Sequence, residues 1–490
     1  MARAHTSAIR VTGRLEAVRP LHVGGMADSV ETDMPLARDG RGRLYVPGTS
    51  LAGALRSWMS ERFEEGLIRR FWGYQQKEEG EASRCFVEDA LVDSSCREEI
   101  WDGVGIDREW GAAAEGIKFD RAVLPRGTRL GFRLRLEVPP DSAPQARAML
   151  GHLLNDLMRP EGIPLGAGIT RGLGAVKLVG EGLGILEEDW SSRKGILALL
   201  EGRLDPLTPD RLCAAAPDLK PRPPEVVDLE VRWEADGPIM VKAGHEGLEV
   251  DVLPMVSGRG KDQWCMILPG SSIKGALREH AERIVRTVRG LDPVDQWRSL
   301  GSRERHLKQL EVPLVERLFG SPKRKEQGGE RGCLEVAPCY LLRPEGKEEQ
   351  WRNLSEALGE KELREALGLL EGLDRAFHVA VDRWTGGAAE GMLYSAVEPW
   401  SFTPEPLRMR VRKDRLGRDY GPAMALLLLV LRDLQEGRLR IGFGVNRGYG
   451  EMRVRELVIG GRVSLGEKDD PEEEAWKKAW QAWIDGGKRT

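Results

Sequence analysis

Asparagine occurs three times in 490 residues (Asn155, Asn353, Asn446), histidine seven times and cysteine six. The cysteines (Cys85, Cys96, Cys213, Cys265, Cys333, Cys339) are scattered, with no Cys-x-x-Cys pair, which excludes a disulfide scaffold and leaves reduced thiols as the expectation. The spacing of Cys333 and Cys339 does not fit the common zinc motifs, so these read as buried thiols. Scarce asparagine is a mild sign of a heat-adapted source. Long apolar runs are missing too: the longest, from Ala423 to Leu431, falls far below the roughly 18 residues that cross a bilayer, and the N-terminus shows no apolar signal block, so a cytoplasmic protein is expected. No nucleotide P-loop, metal-histidine pair or serine-histidine arrangement appears, which argues against an enzyme acting on something other than RNA. The net charge of -4 excludes nucleic-acid binding driven by overall charge but leaves room for a local basic groove.

What is present is a soluble composition, 41% apolar and 31% charged, long enough for two or three domains. It is written twice. "PGTSLAGALR" (47–56) returns as "PGSSIKGALR" (269–278), seven of the ten residues identical. "DREWGAAAEG" (107–116) returns as "DRWTGGAAEG" (382–391). Gly166, Gly168, Arg171, Gly172 and Gly174 match Gly442, Gly444, Arg447, Gly448 and Gly450, both loops reading Gly-x-Gly-x-x-Arg-Gly-x-Gly. Landmarks repeated in one order imply two copies of one domain.

Hydrophobic period supplies the elements between them. Ile9, Val11 and Leu15 alternate with polar residues, as do Val227, Leu229, Val231 and Trp233, predicting a half-buried first strand in each copy. A helix follows each "PG-S" block, with Ser50 and Ser272 as expected N-caps. Strands over 130–138 and 407–411 place Arg133, Arg135, Arg408, Arg410 and Arg412 on an open face that reads as basic. Helices over 144–158 and 422–435 lead into the glycine loops and a last strand at 175–179 or 451–454. Strand, helix, strand, strand, helix, strand is the ferredoxin-like (RRM-like, βαββαβ) α+β arrangement, a sheet with one open face suited to RNA. The expected domains are 1–200 and 226–465, joined by a proline-rich linker at 201–225 that lacks regular structure, with a terminal amphipathic helix over 466–490 carrying Trp476, Trp480 and Trp483 on one face. That helix is expected to dock on its own chain, packing on a neighbouring subunit being the alternative.

The glycine loops allow backbone to approach phosphate closely, and Arg171 or Arg447 adds a fixed charge. Ser50 and Ser272 mark helix tips with free N–H groups, and Arg56, Lys274 and Arg278 lie one turn on. These are the candidate RNA contacts.

The repeated blocks, together with "LHVGGMADSVETDMPLARDGRGRLYVPGTSLAGALR", "FWG" at Phe71 and "LFG" at Leu318, resemble the RAMP superfamily of CRISPR effector proteins, and within it the backbone subunits of type III complexes. The resemblance covers both halves and is similar to the double backbone subunit of type III-D variants. It implies two tandem RAMP domains with thumb β-hairpin insertions, stacked along a guide crRNA with complementary target RNA, other backbone RAMP proteins and a large polymerase-like subunit, and no membrane. Asp107, Arg108 and Glu115, and Asp382, Arg383 and Glu390, are expected at the base of the thumbs. The cutting residue of catalytic members falls on Asp33 in "ETDMP", with Mg2+ or Mn2+ as cofactor and no organic cofactor. In the second copy Asp251 stands three residues before Pro254, where Asp33 stands two before Pro35; Glu249, Glu246 or His245 could serve instead. His22 and His245 lie near these loops and are read as structural. The resemblance implies a guided endoribonuclease subunit; a non-catalytic scaffold is the alternative, and a guide-processing endoribonuclease ranks below both.

Overall fold

The computed structural model describes residues 6–25, 32–77, 79–244, 250–260, 263–291, 293–323, 328–342, 354, 360–370, 372–464 and 470–487. The chain forms two compact units. One comprises Met1–Glu99, Ala122–Ile169 and Leu173–Pro224; the other comprises Ile100–Arg121, Thr170–Gly172 and Glu225–Thr490.

In the first unit β1 (Ser7–Arg19) is followed by α1 (Gly48–Ser60), α2 (Glu65–Trp72) and β2 (Cys85–Val87). The chain then leaves through the hairpin β3 (Glu99–Ile106) and β4 (Ala113–Val123), and returns as β5 (Arg129–Val138), α3 (Ala143–Leu157), β6 (Ile163–Pro164) and β7 (Ala175–Asp189). The sheet order is β6-β7-β1-β5-β2, antiparallel throughout. Strand alternation sets the layers. Ile9, Val11 and Leu15 stand opposite Leu136, Leu134 and Leu130, and with Leu51, Leu55, Met149, Leu153 and Leu157 of the helices they form one buried core. The proline-rich stretch, expected to lack regular structure, carries α4 (Pro209–Cys213). Thr208 caps this helix by accepting the Arg211 N–H at 3.2 Å, and its Leu212 is buried in the same core. Prolines at its first position are compatible with a helix, which composition alone did not reveal.

The second unit repeats the plan: β8 (Val226–Ala235), α5 (Gly270–Arg289), α6 (Ser302–Gln309), α7 (Val315–Phe319), β9 (Leu334–Val336), the hairpin β10 (Leu373–Val381) and β11 (Ala388–Pro399), β12 (Leu407–Arg412), α8 (Tyr420–Gln435), β13 (Met452–Ile459), β14 (Arg462–Ser464) and α9 (Pro471–Gly487). Its sheet order, β9-β12-β8-β13-β14, follows the same path as the first. Helix α9 is capped by Asp470, whose Oδ1 accepts the Glu472 N–H at 2.8 Å. Trp476 is buried in the second core, and Arg289 lies 3.6 Å over the Trp483 ring, so the tryptophan face is covered by its own unit.

Three sequence expectations are corrected. Helices α1 and α5 begin at Gly48 and Gly270, with Pro47 and Pro269 in the N-cap position, so Ser50 and Ser272 lie inside the first turn. A Cβ at Gly48 would sit 2.3 Å from Val87 O, and one at Gly270 2.3 Å from Val336 O: each helix tip presses on the second sheet strand, and a capping side chain has no room there. Asp107 and Asp382 lie in the turns at the tips of the hairpins, since β3 ends at Ile106 and β10 at Val381. The open sheet face is neutralised: Arg408 Nε lies 3.5 Å from Glu230, Arg410 Nε 2.7 Å from Asp228, Arg232 2.8 Å from Glu456 and Arg133 3.4 Å from Glu88. Cross-strand acids turn the expected basic surface into a lattice of ion pairs.

Candidate nucleic-acid interface

The loop after the first strand folds back identically in both units. In the first, Ala37 N–H donates to Val23 O, Gly25 N–H to Pro35 O and Tyr45 N–H to Ala37 O; in the second, Met255 N–H donates to Val241 O, Ala243 N–H to Leu253 O and Ile267 N–H to Met255 O. Ala122 N–H donates to Met34 O, and Val397 N–H to Val252 O. Pro35 therefore corresponds to Leu253, and Asp33 to Asp251. The proline is displaced between copies; the aspartate is not.

Both aspartates are exposed. Asp251 Oδ2 accepts the Ser395 N–H at 2.8 Å and the Ser395 hydroxyl at 3.2 Å. The backbone bond from Ser395 chiefly holds this carboxyl below its usual range against the opposing effect of burial, with the Ser395 hydroxyl and Lys242 adding to it. Glu246, Glu249 and His245 lie outside the described residues. His22 is buried, with Nδ1 2.7 Å from Ala122 O, and fastens the Asp33 loop to β4.

Beside each aspartate loop runs the glycine loop. All eight of its repeated glycines have positive φ, from 66° at Gly444 to 110° at Gly442. Ala167 N–H donates to His22 O and Phe443 N–H to Met240 O, while Gly174 N–H donates to Pro20 O and Gly450 N–H to Pro238 O. A Cβ would meet backbone oxygen at 2.3 Å from Gly166 and Gly442, 2.1 Å from Gly174 and 2.4 Å from Gly450. These four glycines let the loop close on its own unit. At Gly448 a Cβ would meet nothing within 4 Å, so the approach there is open to a ligand. Each loop ends its short 3-10 turn on the repeated arginine, Arg171 or Arg447.

Cations gather in the second unit. Lys274, only 5% exposed, donates from Nζ to Leu334 O at 2.7 Å, and burial with the charges of Arg278 and Arg171 pulls its ammonium down to about 7. Buried Arg121 is pulled down to about 10 by burial and by Arg171. Three like charges influencing one another across partly dry protein form a locus where an anion is stabilised. Arg447 lies against the ring of Tyr394, which stacks on His378 at 5.0 Å; Tyr449 donates to Glu398. Arg121, Ser395 and this aromatic group were missed in the sequence. Counting from the hairpin motif puts Ala396 at the place of Arg121 and Asp120 at that of Ser395, so the repeat carried no signal for them.

The remaining expected residues divide. Arg56 is half-buried and borders an open cleft of about 470 Å³ with Trp72, Gly73 and Tyr74. Arg278 is consumed by structure: it donates to Glu282, to Gly320 O at 2.9 Å and to Leu310 O at 3.2 Å. Asp107 and Arg108 are engaged with α5 and α6, whereas Arg383 and Glu390 are exposed. Among the described residues no three His, Cys, Asp or Glu side chains gather as a metal site, and no helix is long and apolar enough to cross a membrane.

The RAMP superfamily model matches residues 14–177 and 234–453, one stretch for each copy of the repeat, and the chain belongs to that superfamily as a tandem of two RAMP regions. Its members are generally CRISPR-associated RNA-binding subunits. No curated protein matches the chain.

Proposed function

We propose that the chain is a double backbone subunit of a type III CRISPR effector, built from two ferredoxin-like modules, that binds guide crRNA and cuts complementary target RNA at Asp33 and Asp251. The backbone register that sets the two aspartates at one position, each beside a glycine loop, carries this reading. Guide phosphates would lie along the glycine loops and the Arg121–Arg171–Lys274 locus, where N–H groups and cations are already oriented. Cleavage needs the ribose 2'-hydroxyl in line with the adjacent phosphorus, and a carboxylate beside the strand can orient the sugar or take the hydroxyl proton. A divalent cation, Mg2+ or Mn2+, would find one carboxylate per loop and draw its other ligands from RNA phosphate, a pattern usual for Mg2+; it would supply charge neutralisation at the phosphoryl oxygens. Other RAMP subunits and a polymerase-like subunit would complete the assembly, in the cytoplasm.

Scaffolding without cleavage is the second reading, and the engagement of Asp251 by Ser395 favours it at the second loop. The assembled complex, charged with guide and labelled target, separates them. Asp33→Asn and Asp251→Asn should each remove one cut and leave target binding intact. An unchanged cleavage pattern in the double variant would leave only the scaffold.

A further inference from the structure

The two hairpins share a tip sequence, yet only the first is covered. Residues Ile100–Arg121 are part of the second compact unit. There Arg108 Nε lies 2.6 Å from Glu282 Oε2 on α5, and Asp107 Oδ2 lies 2.9 Å from Arg305 on α6. Gln309 closes the contact from both sides, donating to Asp107 Oδ1 at 3.1 Å and accepting the Arg108 N–H at 3.0 Å. Glu109 pairs with Arg298, which stacks over Trp110. The second tip folds the same turn, with Asp382 Oδ1 accepting the Trp384 N–H at 2.7 Å and the Thr385 N–H at 3.0 Å, as Asp107 accepts from Glu109 and Trp110. Around it Trp384 is 96% exposed, Phe377 and Leu393 64%, and Arg383 has no ion-pair partner among the described residues.

We propose that the tip of the second hairpin is a protein-docking knob whose occupant is a RAMP module on a separate chain that presents the dock seen around the first tip. That dock is an acid on a helix for Arg383, an arginine and an amide for Asp382, and apolar surface for Trp384. The first tip serves as the template, because the two turns match hydrogen bond for hydrogen bond. A second copy of this chain offers no vacant dock. Its second unit is filled by its own first hairpin. Its first unit has only residues 61–64 between α1 and α2, where the second unit inserts residues 290–314 with α6, and Ser60 stands at the place of Glu282. RNA is the less fitting occupant: Asp382 and Glu390 outweigh the one arginine of the tip, and exposed Trp and Arg are typical anchors of protein interfaces. The proposal is independent of whether either aspartate cuts RNA.

The test opens the dock on the full-length chain. Asp107→Ala, Arg108→Ala and Glu109→Ala together release the first tip and leave Glu282, Arg305 and Gln309 facing solvent, a stand-in for the partner. Sedimentation velocity should then show concentration-dependent head-to-tail oligomers, because the second tip of one copy enters the open dock of the next, while the parent chain does not associate this way. Trp384→Ala, at a position too exposed to affect folding, should weaken association about tenfold, and Asp382→Lys with Arg383→Glu should abolish it. A milder release, Glu109→Ala with Trp110→Ala, serves if the triple variant unfolds. The proposal fails if the released chains do not associate, or if association ignores the changes at 382–384. It also fails if those changes in the parent chain instead lower RNA affinity about tenfold, which would make the tip a nucleic-acid contact.

Discussion

Glu282 holds two arginines at once, and its removal should be the most damaging single substitution at the base of the first hairpin. Its Oε2 takes Arg108 Nε and its Oε1 takes Arg278 Nε, both at 2.6 Å, and the side chain is 2% exposed. Such a carboxylate is expensive to bury, and its own net contribution against an apolar replacement is small. Deleting it is a different perturbation. Glu282→Ala leaves two guanidinium groups of like charge, 11% and 14% exposed, facing a void. Breaking a buried pair this way costs about 3–5 kcal/mol. For a unit of this size, at ~2–4 °C per kcal/mol, the midpoint in calorimetry should fall by on the order of 10 °C. Arg108→Ala should cost less, because Arg278 still neutralises Glu282, and the double variant should show a coupling of about 1–3 kcal/mol between positions 108 and 282. Hydrogen exchange should quicken across residues 100–121 in either variant, since the tip loses its anchor. A midpoint within about 2 °C of the parent, or a coupling below about 0.5 kcal/mol, would refute the bridging role assigned to Glu282.

Two further outcomes follow from the interface. Lys274 has a folded value of about 7 against an ordinary 10.5, so the unfolded chain binds the additional proton and folding stability should rise with pH between those values. A bound phosphate favours the charged ammonium, so guide RNA binding should take up a proton near pH 8 and weaken as pH rises through 7; Lys274→Met should flatten that slope, and filter binding across pH 6.5 to 8.5 (about two units) reads it. Glycine replacements separate loop closure from ligand approach. Gly450→Ala places a methyl 2.4 Å from Ile441 O at φ 83° and should lower the melting midpoint strongly, whereas Gly448→Ala, with nothing within 4 Å, meets only the strain of positive φ, roughly 1–2 kcal/mol. If Gly448→Ala binds guide RNA as tightly as the parent, backbone approach to phosphate does not occur at that glycine.

The repeat made the path of the chain legible because each landmark is fixed by a local necessity: a helix tip pressed on a strand needs Gly48 or Gly270, and a loop closing on backbone needs Gly174 or Gly450. Period-2 alternation likewise showed which residues face the core. It could not show what stands opposite on the open face, since Arg408 meets Glu230 and Arg410 meets Asp228 from strands separated by more than 170 positions. The hairpin tips carried the same difficulty. Their shared sequence marked them as equivalent, but a single chain dictates only that the turn forms; whether Asp and Arg are then covered depends on an insertion, residues 290–314, that the other copy lacks. The aspartate loops show the reverse case, in which structure strengthens a correspondence the letters obscure. Proline has no N–H to give to a ladder, yet its carbonyl still accepts, so Pro35 can fill the accepting place that Leu253 holds in the other copy without moving the backbone. Aligning by proline shifts the second loop by one residue; aligning by hydrogen bonds restores Asp33 to Asp251. Two sites compared on that register differ in one donor set, the Ser395 clamp on Asp251, and that difference is where unequal cleavage by the two halves should originate.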